Sequence, residues 1–182
     1  MADVLNQIYE CKFLDCSYGF RPGRNAHQAI AEINHHLMFD KINYVLDGDI
    51  KGFFDNVNHD WLMKFLEHDI HDKNFLRYVK RFLISGYMEE MKYHESDKGT
   101  PQGGLISPVL ANVYLHYVLD LWFQQVKTQL KGNAYLVRFA DDFVILFQYE
   151  KKAKKVYKEL IERMKKFGLE LEQNKDITIW RI

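Results

Sequence analysis

The stretch Arg138-Phe139-Ala140-Asp141-Asp142-Phe143-Val144-Ile145-Leu146 constrains this chain more than any other. Two adjacent carboxylates stand between two apolar runs, Tyr135-Leu136-Val137 before them and Phe143 to Phe147 after them. Each run is short, rich in β-branched or aromatic residues, and flanked by polar ones, which is the mark of a strand. The pattern predicts a β-hairpin with Asp141 and Asp142 at its tip. Asp is a common turn former, so the pair alone would signify only a turn. A second acidic position, far upstream, changes that.

Tyr44-Val45-Leu46-Asp47-Gly48-Asp49-Ile50 reads as another strand. Two-residue alternation puts Val45, Asp47 and Asp49 on one face, and Gly48 leaves room for a close backbone or ligand. The pattern of strands and helices predicts an antiparallel sheet backed by helices, an α+β fold. If residues 44–50 lie beside the hairpin, Asp49 meets Asp141. Unpaired carboxylates held that close repel each other, and a hard divalent cation resolves the repulsion. Mg²⁺ accepts one or two carboxylates together with substrate phosphates. Two such ions about 4 Å apart can clamp the attacking and leaving oxygens of an in-line phosphoryl displacement. One would lower the pKa of a primer 3′-hydroxyl, and the other would hold a triphosphate. A two-metal nuclease could use the same carboxylates, but it would leave the Pro101-Gln102-Gly103-Gly104 loop and Phe53-Phe54 without a role.

Helices fill most of the remaining chain. Val4, Leu5, Ile8 and Tyr9 fall at helical spacing within residues 3–13. Asn25 starts the next helix, with Gln28 completing a capping box and Ala26, Ile30, Ile33 and Leu37 as its apolar stripe. Asn58 caps a helix carrying Trp61, Leu62, Phe65 and Leu66, and Asp72 caps one carrying Phe75, Leu76, Val79 and Leu83, ended by Gly86. Tyr87 to Glu95 alternates loosely, as a strand or hairpin arm does. Ser107-Pro108 opens a long helix with Ser as N-cap and Pro at the first helical position. Val109, Leu110, Val113, Tyr117, Val118 and Leu121 would bury one side of it. Glu150 to Phe167 is a helix with Val156, Leu160, Met164 and Phe167 on one face. Its lysines read by default as a solvated face. Leu169 to Glu172 and Ile177 to Trp180 read as a last pair of short strands.

Two loops carry candidate contacts. Ser17 to Arg24 is marked as a loop by two glycines and a proline, and its arginines suit either a structural connector or a contact with phosphates or bases. Lys98 to Gly104 is a tight glycine-rich loop that lacks the spacing and Lys-Ser/Thr end of a P-loop. At 182 residues, 47% hydrophobic and 15% aromatic, the chain can bury one core, with or without a small extra lobe, and its composition argues against disorder. Lys plus Arg equals Asp plus Glu at 25 each. A nucleic-acid enzyme ordinarily has a basic surface, so only local patches could serve one here. Cys11 and Cys16 make no zinc pattern and suit reduced thiols. No apolar run approaches the ~20 residues that cross a bilayer, and no secretory signal is visible at the start.

Four blocks in order carry a resemblance: Tyr18-Gly19-Phe20-Arg21-Pro22-Gly23-Arg24-Asn25-Ala26-His27-Gln28-Ala29, Asp49-Ile50-Lys51-Gly52-Phe53-Phe54-Asp55, Gly99-Thr100-Pro101-Gln102-Gly103-Gly104-Leu105-Ile106-Ser107-Pro108, and Phe139-Ala140-Asp141-Asp142. Together they resemble the reverse-transcriptase domain of bacterial group II intron-encoded proteins, the maturases, over almost the whole chain. The resemblance implies a right-hand polymerase with a ferredoxin-like palm and a partial helical fingers lobe. Residues 1–43 would be partial fingers, with 56–98 contributing helices and a hairpin, and 44–182 would be mainly palm. The implied activity is RNA-directed DNA synthesis with two Mg²⁺ ions, for which Mn²⁺ can substitute. The implied partners are an intron RNA template, a DNA or RNA primer and deoxynucleoside triphosphates, in intron mobility and splicing. A bacterial cytoplasmic location and a homodimer are further expectations. The alternative is an RNA-binding splicing (maturase) module without polymerase activity in this truncated form, a fragment that need not be active alone.

Carried over residue by residue, Asp49 and Asp141 would be the principal metal ligands. Asp142 would be a supporting third aspartate, and the Ile50 carbonyl would complete one metal's shell. Phe54 matches the aromatic that excludes a ribose 2′-hydroxyl, with Phe53 as the fallback. Gln102 would lie by the incoming nucleotide and template, Pro101 and Gly103 in the same contact block, and Arg21 and Arg24 on nucleic acid. Lys175 sits where the family often has a Lys near the triphosphate, although Asp176 follows it in place of the usual Thr. Phe139 replaces a Tyr, losing a hydroxyl but keeping the ring. The family's preceding basic segments, its thumb, and its maturase, DNA-binding and endonuclease regions have no counterpart, so a fingers–palm fragment or a naturally short relative is expected.

Overall fold

The computed structural model describes residues 1–84, 87–89, 92–94, 99–100, 104–172 and 179–181. In chain order its elements are helices α1 (Ala2–Tyr9) and α2 (Ala26–Phe39), strand β1 (Tyr44–Gly48), and helices α3 (Phe53–Asn56), α4 (His59–Asp69) and α5 (Lys73–Ile84). Strands β2 (Tyr87–Glu89) and β3 (Lys92–His94) follow, then α6 (Ser107–Leu115), a π turn (His116–Asp120) and α7 (Leu121–Thr128). Strands β4 (Ala134–Phe139) and β5 (Asp142–Phe147), helix α8 (Glu150–Lys166) and strand β6 (Ile179–Arg181) complete it.

The main sheet is antiparallel with strand order β4-β5-β1-β6, and β2 pairs with β3 in a separate hairpin. Strand alternation divides the sheet residues between its two faces. Leu136, Phe143, Ile145, Phe147 and Leu46 point into the main core with α6 and α8. Val137 and Phe139 point the other way, where Ala29 and Ile33 of α2 and Tyr18 cover the β4 edge. Over β1 the same face is more open, with Asp47 exposed and Val45 half-buried.

The caps act as their residue types dictate. Asn25 and Gln28 exchange side-chain and backbone hydrogen bonds in a capping box. Asn58 Oδ1 accepts from Trp61 N at 3.0 Å, and Asp72 Oδ1 accepts from Asn74 N and Phe75 N. Ser107 differs from expectation: it is already helical, Ile106 is the N-cap, and Ser107 N closes the preceding turn onto Gly104 O at 3.0 Å. The apolar stripe of α2 also differs. Ile30 is 59% exposed and Ala29 is the buried residue, because the helix rests on the sheet only through the narrow Ala29 and Ile33 contact. Helix α6 buries more than one side: Ala111, Asn112, Tyr114 and Leu115 are buried along with Val109, Leu110 and Val113. It runs between α1 and α4 and has no solvent face to spare. Residues 170–172 lie against 49–51 through a bridge of Ile50 to Leu171, short of a full strand. Gly86 and residues 177–178 are outside the described residues. Among the described residues no helix is long and apolar enough to cross a membrane.

Candidate active site at the hairpin tip

Register brings the two acidic positions together. β1 pairs with β5 so that Gly48 faces Phe143, which carries the chain leaving β1 past the tip of the β4–β5 hairpin. Phe139 faces Asp142, so Ala140 and Asp141 form a two-residue turn. Ala140 takes a left-handed φ of 58°, the geometry that fits a tight hairpin to the twist of its strands. Gly48 has no room for a side chain, since a Cβ there would lie 2.3 Å from the Phe143 ring. On its other side, segment 49–51 is fixed by Glu172 N donating to Asp49 O and Lys51 N donating to Glu170 O, both at 2.9 Å.

Asp49 and Asp141 line one cleft of about 230 Å³ with Ile50, Lys51, Gly52, Phe53, Phe54, Asp55 and Glu172. The Asp141 carboxyl is pushed above the usual carboxylate range, first by burial and then by the charge of Asp49, against the opposing pull of a backbone amide and Arg138. A divalent cation fits this arrangement. The donors are hard oxygens, and the mutual repulsion of Asp49 and Asp141 is what a cation would relieve. Among the described residues no three His, Cys, Asp or Glu side chains form a complete metal cage, so the remaining ligands of an ion here would come from backbone, water or substrate.

A buried polar network stands under the tip. Arg138 is 0% exposed and all five of its N–H groups are used. Nε and Nη2 grip the two carboxylate oxygens of Asp120 at 2.8 and 2.7 Å, Nη1 donates to Asn112 Oδ1 and to the carbonyl of Ala140, and Nη2 also donates to Ser17 Oγ. Asn112 Nδ2 in turn donates to the carbonyl of Gly19 at 2.7 Å. Gly19 packs so tightly on the turn that a Cβ would fall 2.3 Å from Ala140 N. Gly19→Ala is therefore expected to cost about 1–3 kcal/mol in urea denaturation, the usual penalty of overpacking. A loss below about 0.5 kcal/mol would mean that this loop does not brace the turn.

Phe54 is half-buried in the cleft wall and meets Phe20 edge-to-face at 6.3 Å. Phe53 also touches the cleft but is 1% exposed and belongs to the core beside Tyr114. Ile50 is buried at the cleft floor. Asp142, the first residue of β5, is exposed and does not line the cleft, because adjacent strand residues face opposite ways. The nucleic-acid role expected of Arg21 is corrected. Its guanidinium is buried and committed to the Glu10 carboxylate and to the carbonyls of Leu14 and Ser17 at 2.8 and 2.9 Å. Arg24 is paired with the exposed Asp15 at 2.6 Å. Pro101, Gln102, Gly103 and Lys175 lie outside the described residues. The end of their loop is anchored at the cleft: Thr100 N donates to Phe54 O and Gly99 N to Val57 O, each at 2.7 Å.

Sequence reading missed Glu172, Arg138, Asp120, Asn112 and Gly19. For three of them a signal existed: Arg138, Asp120 and Asn112 are polar residues inside apolar runs, and buried polar groups must find partners. Glu172 and Gly19 act through chain segments remote in sequence and carry no local signal.

The family model described as reverse transcriptase (RNA-dependent DNA polymerase) matches residues 1–179. The chain is 43% identical over 124 residues to the group II intron-encoded protein LtrA of Lactococcus lactis subsp. cremoris, an alignment that covers 68% of this chain and 20% of LtrA. It is 40% identical over 135 residues to an uncharacterized 91 kDa protein in the cob intron of Schizosaccharomyces pombe, covering 74% of this chain and 16% of that one. The chain thus spans a fifth or less of the length of these two relatives. Telomerase from Candida albicans, solved in complex with a fragment of telomeric RNA, matches with a TM-score of 0.73 at 14% identity, over 96% of this chain and 33% of that one. At that identity the likeness concerns the fold, which is the α+β polymerase fold. By the match over nearly its whole length, the chain belongs to the reverse transcriptase (RNA-dependent DNA polymerase) family.

Proposed function

We propose that this chain carries the catalytic centre of an RNA-directed DNA polymerase of the group II intron type, adding deoxynucleotides to a primer 3′-hydroxyl along an RNA template. The observation that supports it most is the cleft shared by Asp49 and Asp141, where burial first, and the charge of Asp49 after it, raise the pKa of Asp141. In this reading residues 44–182 are mainly palm, and residues 1–43 with 56–98 are part of the fingers. Asp49 and Asp141 would hold Mg²⁺, or Mn²⁺ in its place, with the Ile50 carbonyl, water and substrate as further oxygen donors, while Asp142, exposed and outside the cleft, would act only in support. When bound there, such ions would supply Lewis acidity toward a primer hydroxyl and offset the charge of a triphosphate.

The chain's own side chains do the rest. Asp141 sits on a turn fixed from below by Arg138, so its carboxylate needs little reorganisation to meet a cation. Phe54 presents a ring to the cleft where a ribose would enter, and Phe20 backs it. Removing ring bulk should admit a 2′-hydroxyl. Phe54→Val is expected to lower the preference for deoxy- over ribonucleotides by about 10-fold or more, since small steric differences in a pocket are worth roughly 1–3 kcal/mol. Primer extension on an RNA template, with the two nucleotide classes in separate reactions, tests both statements. Failure of the wild-type chain to extend would count against the polymerase reading. Extension with an unchanged deoxy-to-ribo ratio in Phe54→Val would move the gate elsewhere.

A further inference from the structure

The chain has no net charge, yet its cations are not evenly compensated. Helix α8 holds many lysines, but it also holds Glu150, Glu159 and Glu162, which pair with Lys154, Lys155 and Lys165. Lys151, Lys152, Lys158 and Lys166 of α8 make no such pair among the described residues, so what sets helix α5 apart is that no acid stands among its bases. Lys73, Arg77, Lys80 and Arg81 are its charged residues, and it contains no Asp or Glu. All four are exposed, and among the described residues none of them pairs with a carboxylate. At helical spacing they fall within an arc of about 100°. The flank about 120° round the helix from the stripe is fixed in the core by Leu76, Val79 and Leu83, so the orientation of the stripe is set by packing. Beside it, between α4 and α5, runs a groove of about 620 Å³ with Met63, Ile70 and Leu76 in its wall and Lys73, Arg77 and Lys80 on one side; Glu67 and His71 line it too.

We infer that α5 is a contact for a nucleic-acid backbone, with Lys73, Arg77, Lys80 and Arg81 taking phosphates of one strand outside the catalytic cleft. From Lys73 to Arg81 the helix rises about 12 Å, a length that covers three or four phosphates at roughly 3.4 Å of axial spacing per strand. A cluster of cations with no acid among them, on a chain whose remaining residues are net acidic, is the footprint of such a contact. A face that merely kept the protein in solution would tolerate acids among its bases, as α8 does. The inference rests on the polymerase reading only in that the chain engages nucleic acid.

Neutralising the stripe, with Lys73, Arg77, Lys80 and Arg81 all changed to Gln, tests it in the whole chain. These positions are exposed, so the fold should survive, as melting would verify. The probes are a single-stranded RNA and an RNA–DNA hybrid, read by fluorescence anisotropy across a salt series. On single strands the slope of log K against log salt should shrink by roughly 0.7 per lost contact, close to 3 for all four, and affinity near 0.1 M salt should fall at least tenfold. A larger loss on the hybrid would assign the stripe to the duplex, and a larger loss on the single strand would assign it to unpaired template. The matched control changes Lys154, Lys155, Lys158 and Lys165 of α8 to Gln and should move the slope by less than half as much. Equal shifts in the two variants would overturn the inference in favour of a net-charge effect. An unchanged slope with normal primer extension would overturn it and leave the polymerase reading standing, and an acidic peptide that binds wild type but not the α5 variant would then point to a protein partner. A wild-type chain that neither binds nor extends would sink both.

Discussion

Asp141→Asn is expected to reduce primer extension by about a thousandfold or more while leaving the chain at least as stable as wild type. The loss follows from removing a charged ligand: metal polarisation at a reacting centre is worth several kcal/mol, and each 1.4 kcal/mol is tenfold in rate. The stability follows from the environment of Asp141, whose carboxyl titrates above the usual range because of burial and the nearby charge of Asp49. For an acid whose folded pKa exceeds its unfolded value, ionisation disfavours folding. That penalty is absent below about pH 3.9, grows as pH rises through the window between the two pKa values, and is full above it. Asn carries no such charge. Urea midpoints of wild type and variant should therefore coincide near about pH 4 and separate in favour of the variant near neutrality. Mg²⁺ supplies a second readout independent of activity. It should raise the melting temperature of wild type by binding the folded state, and raise that of Asp141→Asn or Asp49→Asn much less. Extension at the wild-type rate, or equal Mg²⁺ responses in all three proteins, would remove Asp49 and Asp141 from the metal site.

That Asp49 and Asp141 meet was legible in the sequence because both lie in locally patterned segments. Alternation gave one strand, two apolar runs around Asp141-Asp142 gave a hairpin, and an antiparallel sheet has few ways to arrange them. Helix caps at Asn25, Asn58 and Asp72 were legible for the same local reason. What escaped reading depends on long-range packing. Ile30 looked like a core residue by period, but α2 touches the sheet along too narrow a line to bury it. Arg21 looked like a phosphate ligand by charge and loop position, but Glu10 and two carbonyls meet it across a turn that sequence does not reveal. Phe53 and Phe54 are alike in type and neighbouring in sequence. Only the placement of α3 sends one into the core and leaves the other half-buried at the cleft wall.

Arg138→Met is expected to destabilise the chain by about 3–5 kcal/mol, because it leaves the Asp120 carboxylate buried without its counter-ion. Against a total of roughly 5–15 kcal/mol for an ordinary domain, that is enough to threaten folding near physiological temperature. Arg138→Lys should recover only part of the loss. One ammonium has three donors and no planar fork, whereas five acceptor contacts are made here: two on Asp120, and one each on Asn112, Ala140 and Ser17. Arg138→Met combined with Asp120→Leu removes both charges and should be more stable than Arg138→Met alone, since an apolar replacement of a buried pair is often neutral. The double variant would still leave the Ala140 carbonyl without its donor, so the turn that carries Asp141 would be less firmly held. A double-mutant cycle in urea measures the coupling between Arg138 and Asp120, and the Mg²⁺-induced melting shift of the double variant measures what the turn has lost. A cost under about 1 kcal/mol for Arg138→Met would show that the network contributes little. A double variant that is stable yet responds weakly to Mg²⁺ would separate two roles of one arginine, closing a buried ion pair and aiming a carboxylate.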